Sequence, residues 1–169
     1  KLSISICVPA FNEEANIENI LMSLAKQTLH RVHINKIVVV SSGSTDKTAE
    51  LVQKHMKTNP RLTLLNEETR NGKAAAINAF LKVVDDPVIV IQSSDTIPVE
   101  DTIELLCVPF LNDEKIVMTG GVPFPLNDPN TCLGNIAHSC WWFNRNIHRS
   151  GEFVPSRTTI DLTSDQRAV

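Results

Sequence analysis

Residues 4–24 read ISICVPAFNEEANIENILMSL, and two periodicities follow one another within them. Ile4–Val8 is a short apolar run rich in β-branched residues, closed by Pro9. With so little polar alternation it fits a strand covered on both faces. Ile17, Ile20, Leu21 and Leu24 then fall at i, i+3, i+4 and i+7, a single apolar helical stripe. Asn12 or Glu14 is placed to begin that helix, because acidic groups suit its positive end. Strand, polar turn and helix together make one βα unit.

The same grammar repeats outward. Ile37–Val40 is followed by Ser44-Thr45-Asp46, good helix-capping residues, and by Ala49, Val52 and Met56. Leu62–Leu65 is followed, after Gly72, by a stripe of Ile77, Phe80, Leu81 and Val84, which Asp85-Asp86-Pro87 ends. Val88–Ile91 comes next, with a helix expected over about 100–106 behind Pro98. Alternating units of this kind predict an α/β chain with a Rossmann-like, mostly parallel sheet and helices on both faces. Beyond them, residues 115–122 read as a strand ending in Gly120-Gly121, and 123–129 as turn. A helix is expected over 131–148, bearing Trp141, Trp142 and Phe143, and residues 151–169 are weakly patterned. No internal repeat, low-complexity tract or interdomain linker interrupts the chain.

Composition narrows the function classes. The chain has 169 residues, 42% hydrophobic, 21% charged and 5% aromatic, enough for one domain with a real core. Sixteen basic against nineteen acidic residues give a net charge of −3, so the basic footprint of a nucleic-acid binder is absent. Cys7, Cys107, Cys132 and Cys140 form no CxxC pair and read as reduced, packed thiols of a cytoplasmic protein. No apolar run reaches the ~18 residues of a membrane span, and no signal peptide leads the chain, which starts at Lys1 rather than methionine. There is no G-x-G-x-x-G after the first strand, no G-x-x-x-x-G-K-[ST] loop and no G-x-S-x-G elbow. The five histidines, His138 among them, pair with no cysteine at zinc-ligand spacing.

Polar residues gather behind each of the first four strands. These segments are Pro9–Glu14, Ser41–Asp46, Glu67–Lys73 and Gln92–Asp95. In a parallel sheet all four emerge at the carboxyl edge, where open α/β sheets bind ligands. Taken singly, Gly43–Asp46 is a turn and cap, Asn71-Gly72-Lys73 a common turn, and Asp95 a cap for the next helix. Converging on one crevice, they suit a phosphate-bearing ligand and its metal.

Read together, ISICVPAFNEEANIENILMSL, IVVVSSGSTDKTAELV, NGKAAAINAFL and VIVIQSSDTIP resemble the family 2 glycosyltransferases, enzymes of the GT-A fold. The match covers residues 3 to about 98 in order and spacing. It continues more weakly through MTGGVPFP and GEFVPSR to Ser164-Asp165-Gln166. The resemblance implies one GT-A domain over 1–169, with a nucleotide-sugar half (1–98) and an acceptor half (99–169). For this family 169 residues is short, so the acceptor half is expected to be truncated.

The resemblance also implies roles. Pro9, Ala10, Asn12 and Glu14 match the segment lining the base and ribose. Ser41 and Ser42 stand where relatives commonly carry two aspartates, which leaves base preference open among UDP, GDP and TDP donors. Lys73 matches the basic residue that approaches the nucleotide. Ser93-Ser94-Asp95 aligns with the metal-binding DXD motif, leaving Asp95 as direct ligand for Mg²⁺ or Mn²⁺ and Ser94 beside it. Asp165 is the expected carboxylate base of an inverting displacement, with Asp161 in reserve. Trp141 and Trp142 are read as stacking on an acceptor sugar or, for at least one, as packing beside Phe143. His138 is expected to be structural, and Arg157 to touch acceptor or phosphate or to be structural. The acceptor stays open among glycan, lipid-linked and small-molecule hydroxyls, with membrane contact through it or through further segments. A binding module of the same fold that has lost turnover is the alternative, and an unrelated doubly wound α/β protein a third.

Overall fold

The computed structural model describes residues 1–147 and 159–162, with side chains to residue 142. Four strands form a parallel sheet: β1 (Leu2–Ala10), β2 (Val32–Ser42), β3 (Leu62–Glu67) and β4 (Val88–Ile91), in the order β3-β2-β1-β4. The apolar runs seen in the sequence are their centres, so the expected α/β architecture is the one observed.

The period of two along each strand divides the core. Ile4, Ile6, Val8, Ile37 and Val39 face α1 (Ile17–Ala25) and α2 (Thr48–Met56), whose Ile17, Ile20, Leu21, Leu24 and Val52 are buried against them. Cys7, Val38 and Val40 face the other way, onto Ala76 and Phe80 of α3 (Lys73–Leu81). Phe80 is fully buried, and truncating such a ring to alanine costs about 3–5 kcal/mol. Leu81, expected on the same stripe, is exposed: Ala76 and Phe80 set the face that meets the sheet, and Leu81 projects past it.

Two carboxylates pin the amino-terminal side of the sheet. Glu104 of α4 (Thr102–Asn112) accepts the backbone N–H groups of His30, Arg31 and Val32 at 3.1, 2.8 and 3.2 Å, satisfying the turn that enters β2. Asp86 accepts from the Ser3 and Ser5 hydroxyls at 2.6 and 2.5 Å and from Asn35.

A second, three-stranded sheet contains β5 (Thr96–Pro98), β6 (Val122–Pro125) and β7 (Thr159–Leu162) in the order β5-β7-β6. β5 and β7 run antiparallel, β6 and β7 parallel. The strand expected over 115–122 is displaced to Val122–Pro125: Val117 and Met118 are 90% and 84% exposed, and the stretch read as turn is the one that pairs. Proline is tolerated in β6 because, among the described strands, it lies at the edge of its sheet, with only one side to satisfy. α4 also runs past its expected end, through Pro109, with the Thr119 hydroxyl donating to Leu106 O at 2.8 Å.

The last described helix, α5 (Cys132–Ile147), packs on β6 through His138 and Trp141. A side chain at Gly134 would run into the Asp128 carbonyl, so only glycine fits where the helix leaves its loop. Trp141 meets Phe124 edge-on at 4.8 Å, while Phe143 lies beyond the described side chains. His138 meets the same ring at 5.4 Å and its Nε2 lies 2.9 Å from Asn127 O, a packing role as expected. Of the four free cysteines, Cys7 and Cys107 are buried but Cys132 and Cys140 are exposed, so the expectation of packed thiols holds for only two.

Candidate active site

The site is built from the loops at the carboxyl edge of the parallel sheet, and those loops are tied to one another. β1 ends at Ala10, paired with Ser41 of β2, and Pro9 pairs with Val40. Asn12 follows with φ +53°, the one non-glycine residue with positive φ among the described residues. Asparagine tolerates this left-handed conformation better than most side chains. Its N–H donates to Ser44 Oγ at 3.2 Å, and its Oδ1 accepts the Thr45 N–H at 2.9 Å.

Glu14 repeats the exchange: its N–H donates to Asp46 Oδ2 at 3.0 Å, and its Oε2 accepts the Lys47 N–H at 3.1 Å. Between them the Glu13 N–H donates to Thr48 Oγ1 at 2.8 Å. Asp46 Oδ1 also accepts both the N–H and the hydroxyl of Thr48, closing the first turn of α2. Burial pushes the Asp46 pKa up, but the hydrogen bonds from Thr48 and from the Glu14 N–H outweigh it and hold the group below its ordinary value. Asn12 and Glu14 are thus engaged in a loop-to-loop clasp, a use the sequence reading did not foresee.

Ser41 and Ser42 are buried at the end of β2. The Ser41 hydroxyl donates to Ser44 Oγ at 3.0 Å, and Ser42 Oγ accepts the Asn71 N–H at 3.1 Å. Gly43 has φ +69°, and a Cβ there would lie 2.6 Å from the Arg70 nitrogen, so this turn admits only glycine. Arg70 in turn lays its guanidinium 3.9 Å from the centre of the Phe11 ring, bridging the loops after β3 and β1. Glu67 Oε2, on the strand beside Ser42, is buried with no hydrogen-bond partner.

The fourth loop closes the arrangement. Lys73 at the start of α3 extends its Nζ to 3.5 Å from Ser93 Oγ. Ser94 is buried and Asp95 half-buried in the same turn, which leads directly into β5. The structure therefore brings Pro9, Ala10, Asn12, Glu14, Ser41, Ser42, Lys73, Ser94 and Asp95 to one sheet edge. Asp165 and Arg157 lie outside the described residues. Asp161 is in β7, its backbone in register with Ile97, two residues past Asp95.

The donor set is one carboxylate flanked by hydroxyls, all hard oxygen. Among the described residues no group of three or more His, Cys, Asp or Glu is placed to hold a metal. Such a set does not make a zinc cage, but it fits a magnesium-type ion that takes one or two carboxylates and completes its shell with phosphate oxygens and water.

The sequence profile of Glycosyl transferase family 2 matches residues 5–168. The chain belongs to that family. Among similar proteins, a dolichyl-phosphate beta-glucosyltransferase of Trichomonas vaginalis is 33% identical, the match covering 61% of this chain and 33% of the relative. The glycosyltransferase GlyG of Streptococcus pneumoniae is 32% identical over the same shares. This family 2 chain thus spans about a third of the length of those curated relatives. Among solved structures, the mannosyltransferase PcManGT of Pyrobaculum calidifontis, in complex with GDP-Man and Mn²⁺, is similar with a TM-score of 0.59 and 32% identity, covering 75% of this chain and 36% of that one. Glucosyl-3-phosphoglycerate synthase of Mycobacterium tuberculosis, in complex with Mn²⁺, UDP and glucosyl-3-phosphoglycerate, gives 0.56 and 27%, covering 73% and 44%. The fold of this family 2 member is accordingly GT-A-like.

Arg70 and Gln92 lie in two of the polar segments behind the strands, but the sequence assigns neither of them a role. Pairing of Arg70 with Phe11 across 59 positions leaves no local pattern to find, and Gln92 is a polar residue directly behind an apolar strand.

Proposed function

We propose that the chain is the donor-binding part of a glycosyltransferase that moves a sugar from a nucleoside-diphospho-sugar to an acceptor hydroxyl with inversion. The observation that carries this is the Lys73–Ser93 contact, which sets a cation beside the Asp95 turn in a family 2 chain. Lys73 and the loops around Ser42 and Asn12 hold the nucleotide, with Pro9 and Ala10 at its base and ribose and Ser94 beside the diphosphate. Asp95 would hold Mg²⁺ or Mn²⁺, which when bound would neutralise charge on the departing diphosphate, worth several kcal/mol in enzymes of this kind. Asp165 takes the proton from the acceptor oxygen as that oxygen attacks the anomeric carbon. The similar structures bound to GDP-Man or UDP with Mn²⁺ support this reading. Trp142 supports an acceptor path along α5: it is 63% exposed on a groove of about 450 Å³ that also holds Asn135 and Ser139.

No helix among the described residues is long and apolar enough to cross a membrane. We place the donor site on the cytoplasmic side, with any membrane association arising through the acceptor or further segments.

Thermal unfolding with UDP, GDP and TDP, each with and without Mn²⁺, tests the donor site. Ligand at ~100 times its dissociation constant stabilises by about 2.7 kcal/mol, and no shift with any nucleotide refutes the reading. Serine at positions 41, 42 and 93, where relatives commonly carry aspartate, favours a second reading, a binding module without turnover. A nucleotide shift without donor hydrolysis or transfer, in the full-length protein, selects it.

A further inference from the structure

Gln92 directly follows β4 and is 4% exposed. Its backbone N–H extends the sheet by donating to Cys7 O at 2.8 Å. Its side-chain Nε2 lies 2.7 Å from Thr96 O, 2.8 Å from Thr96 Oγ1 and 3.0 Å from Ser93 O. The Thr96 hydroxyl and N–H both reach the Ser93 carbonyl as well, at 3.3 and 3.4 Å. Both ends of the Ser93–Thr96 turn are therefore tied to each other and to one amide beneath them. Ser94 and Asp95 sit between the tied ends.

β4 leaves Ile89 and Ile91 exposed on one face, whereas Gln92 follows Val90 on the buried one, and a buried amide is costly unless it is bonded. Here the two N–H groups of the amide meet three acceptors, so one is shared and each of the three has a partner. Packing alone would be served as well by methionine. What only a donor provides is a fixed backbone path through the turn.

We propose that Gln92 is a positioning residue for the donor site: it locks the Ser93–Thr96 turn and so aims the Asp95 carboxylate. The inference rests on the reading of Asp95 as metal ligand. A ligand carboxylate must be held within about 0.5 Å of its productive place, and a loop residue reaches that precision only when its support is locked. The same lock holds Ser93 within reach of Lys73, coupling the cation to the carboxylate.

The test measures Mn²⁺ affinity calorimetrically in the presence of saturating GDP or UDP, and the affinity of the same nucleotides in EDTA. The unmodified chain is compared with Gln92→Met, which keeps volume and removes the donor, and Thr96→Val, which removes one acceptor of the amide together with the hydroxyl's own bond to Ser93 O. Gln92→Met is expected to weaken Mn²⁺ about tenfold or more, in the range seen when a ligand's supporting partner is lost. Its metal-free nucleotide affinity stays within about twofold. Thr96→Val is expected to weaken Mn²⁺ about three- to tenfold, as for the loss of one strong and one long hydrogen bond. Equal loss with and without metal would make Gln92 a structural residue only, and unchanged Mn²⁺ affinity in both variants overturns the proposal. If Gln92→Met does not fold, Thr96→Val decides alone by the same rule. An unmodified chain that binds nucleotide in EDTA but gains nothing from Mn²⁺ overturns the metal reading itself.

Discussion

The Thr45 N–H donates to Asn12 Oδ1 at 2.9 Å, across two loops that belong to different βα units. Because the Asn12 N–H returns a bond to Ser44, the pair closes a small reciprocal ring that fixes the left-handed backbone at Asn12. Asn12→Ala removes both the acceptor and the side chain suited to that conformation. The expected loss is about 2 kcal/mol in urea unfolding, roughly half from the backbone and half from the bond. Asn12→Asp keeps the acceptor and should lose less than 1 kcal/mol by the same reckoning. Equal stability of Asn12→Ala and the unmodified chain would refute the clasp.

Acid stability should follow Asp86. Burial pushes its pKa up, but hydrogen bonds from Ser3, Ser5 and Asn35 and the charge of Lys36 outweigh it and hold it below the ordinary 3.8. A lowered pKa contributes stability that is complete above the ordinary value and lost as pH falls through the native one. Denaturant midpoints should therefore hold steady from pH 7 to about 5 and drop below pH ~4. Asp86→Asn should start less stable at pH 7 and show a shallower acid slope; an unchanged slope contradicts the assignment.

The thiols divide by burial. Cys7 and Cys107 are pushed up to about 12, chiefly by burial, while Cys132 and Cys140 are exposed. A colorimetric thiol reagent at pH 8 should label two groups promptly and two more only on unfolding. Stability contributed by the buried pair is complete below their ordinary 9.0 and lost as pH rises toward 12. Prompt labelling of all four would contradict the buried placement of β1 and α4.

The two carboxylates of the proposed mechanism separate by assay. Asp95→Asn should abolish the extra thermal shift given by Mn²⁺ and leave the metal-free nucleotide shift in place. Asp165→Asn should leave both shifts intact and lower transfer by about 10²–10⁴-fold, the usual worth of a general base. Transfer that survives Asp165→Asn, and falls in Asp161→Asn, moves the base to β7.

The parallel sheet was legible because its strands are short β-branched runs whose neighbours carry clean helical stripes; Ile17, Ile20, Leu21 and Leu24 are all buried as their spacing requires. β6 was not, because two prolines in VPFP look like a turn until an edge position, invisible in sequence, removes the need for their N–H groups. At the site, residue types named the neighbourhood but not the use. Asn12 and Glu14 turned out to bond the next loop, since partners such as Thr45 and Lys47 are brought near only by the strand order. The bracing of Asp95 by Gln92 depends on one side-chain rotamer, and no periodicity encodes that.

The place of β7 has a consequence for the order of assembly. Among the described strands it comes last in the chain, yet it lies between β5 and β6, and it is the partner that each of them pairs with in that sheet. On a ribosome adding about 5–20 residues per second, the four parallel strands and Lys73 can settle first. The turn with Asp95 then waits, joined to an unpaired β5, until the distant strand is released. Long-range closure of this kind is slow, so completion of the donor pocket trails formation of the parallel sheet.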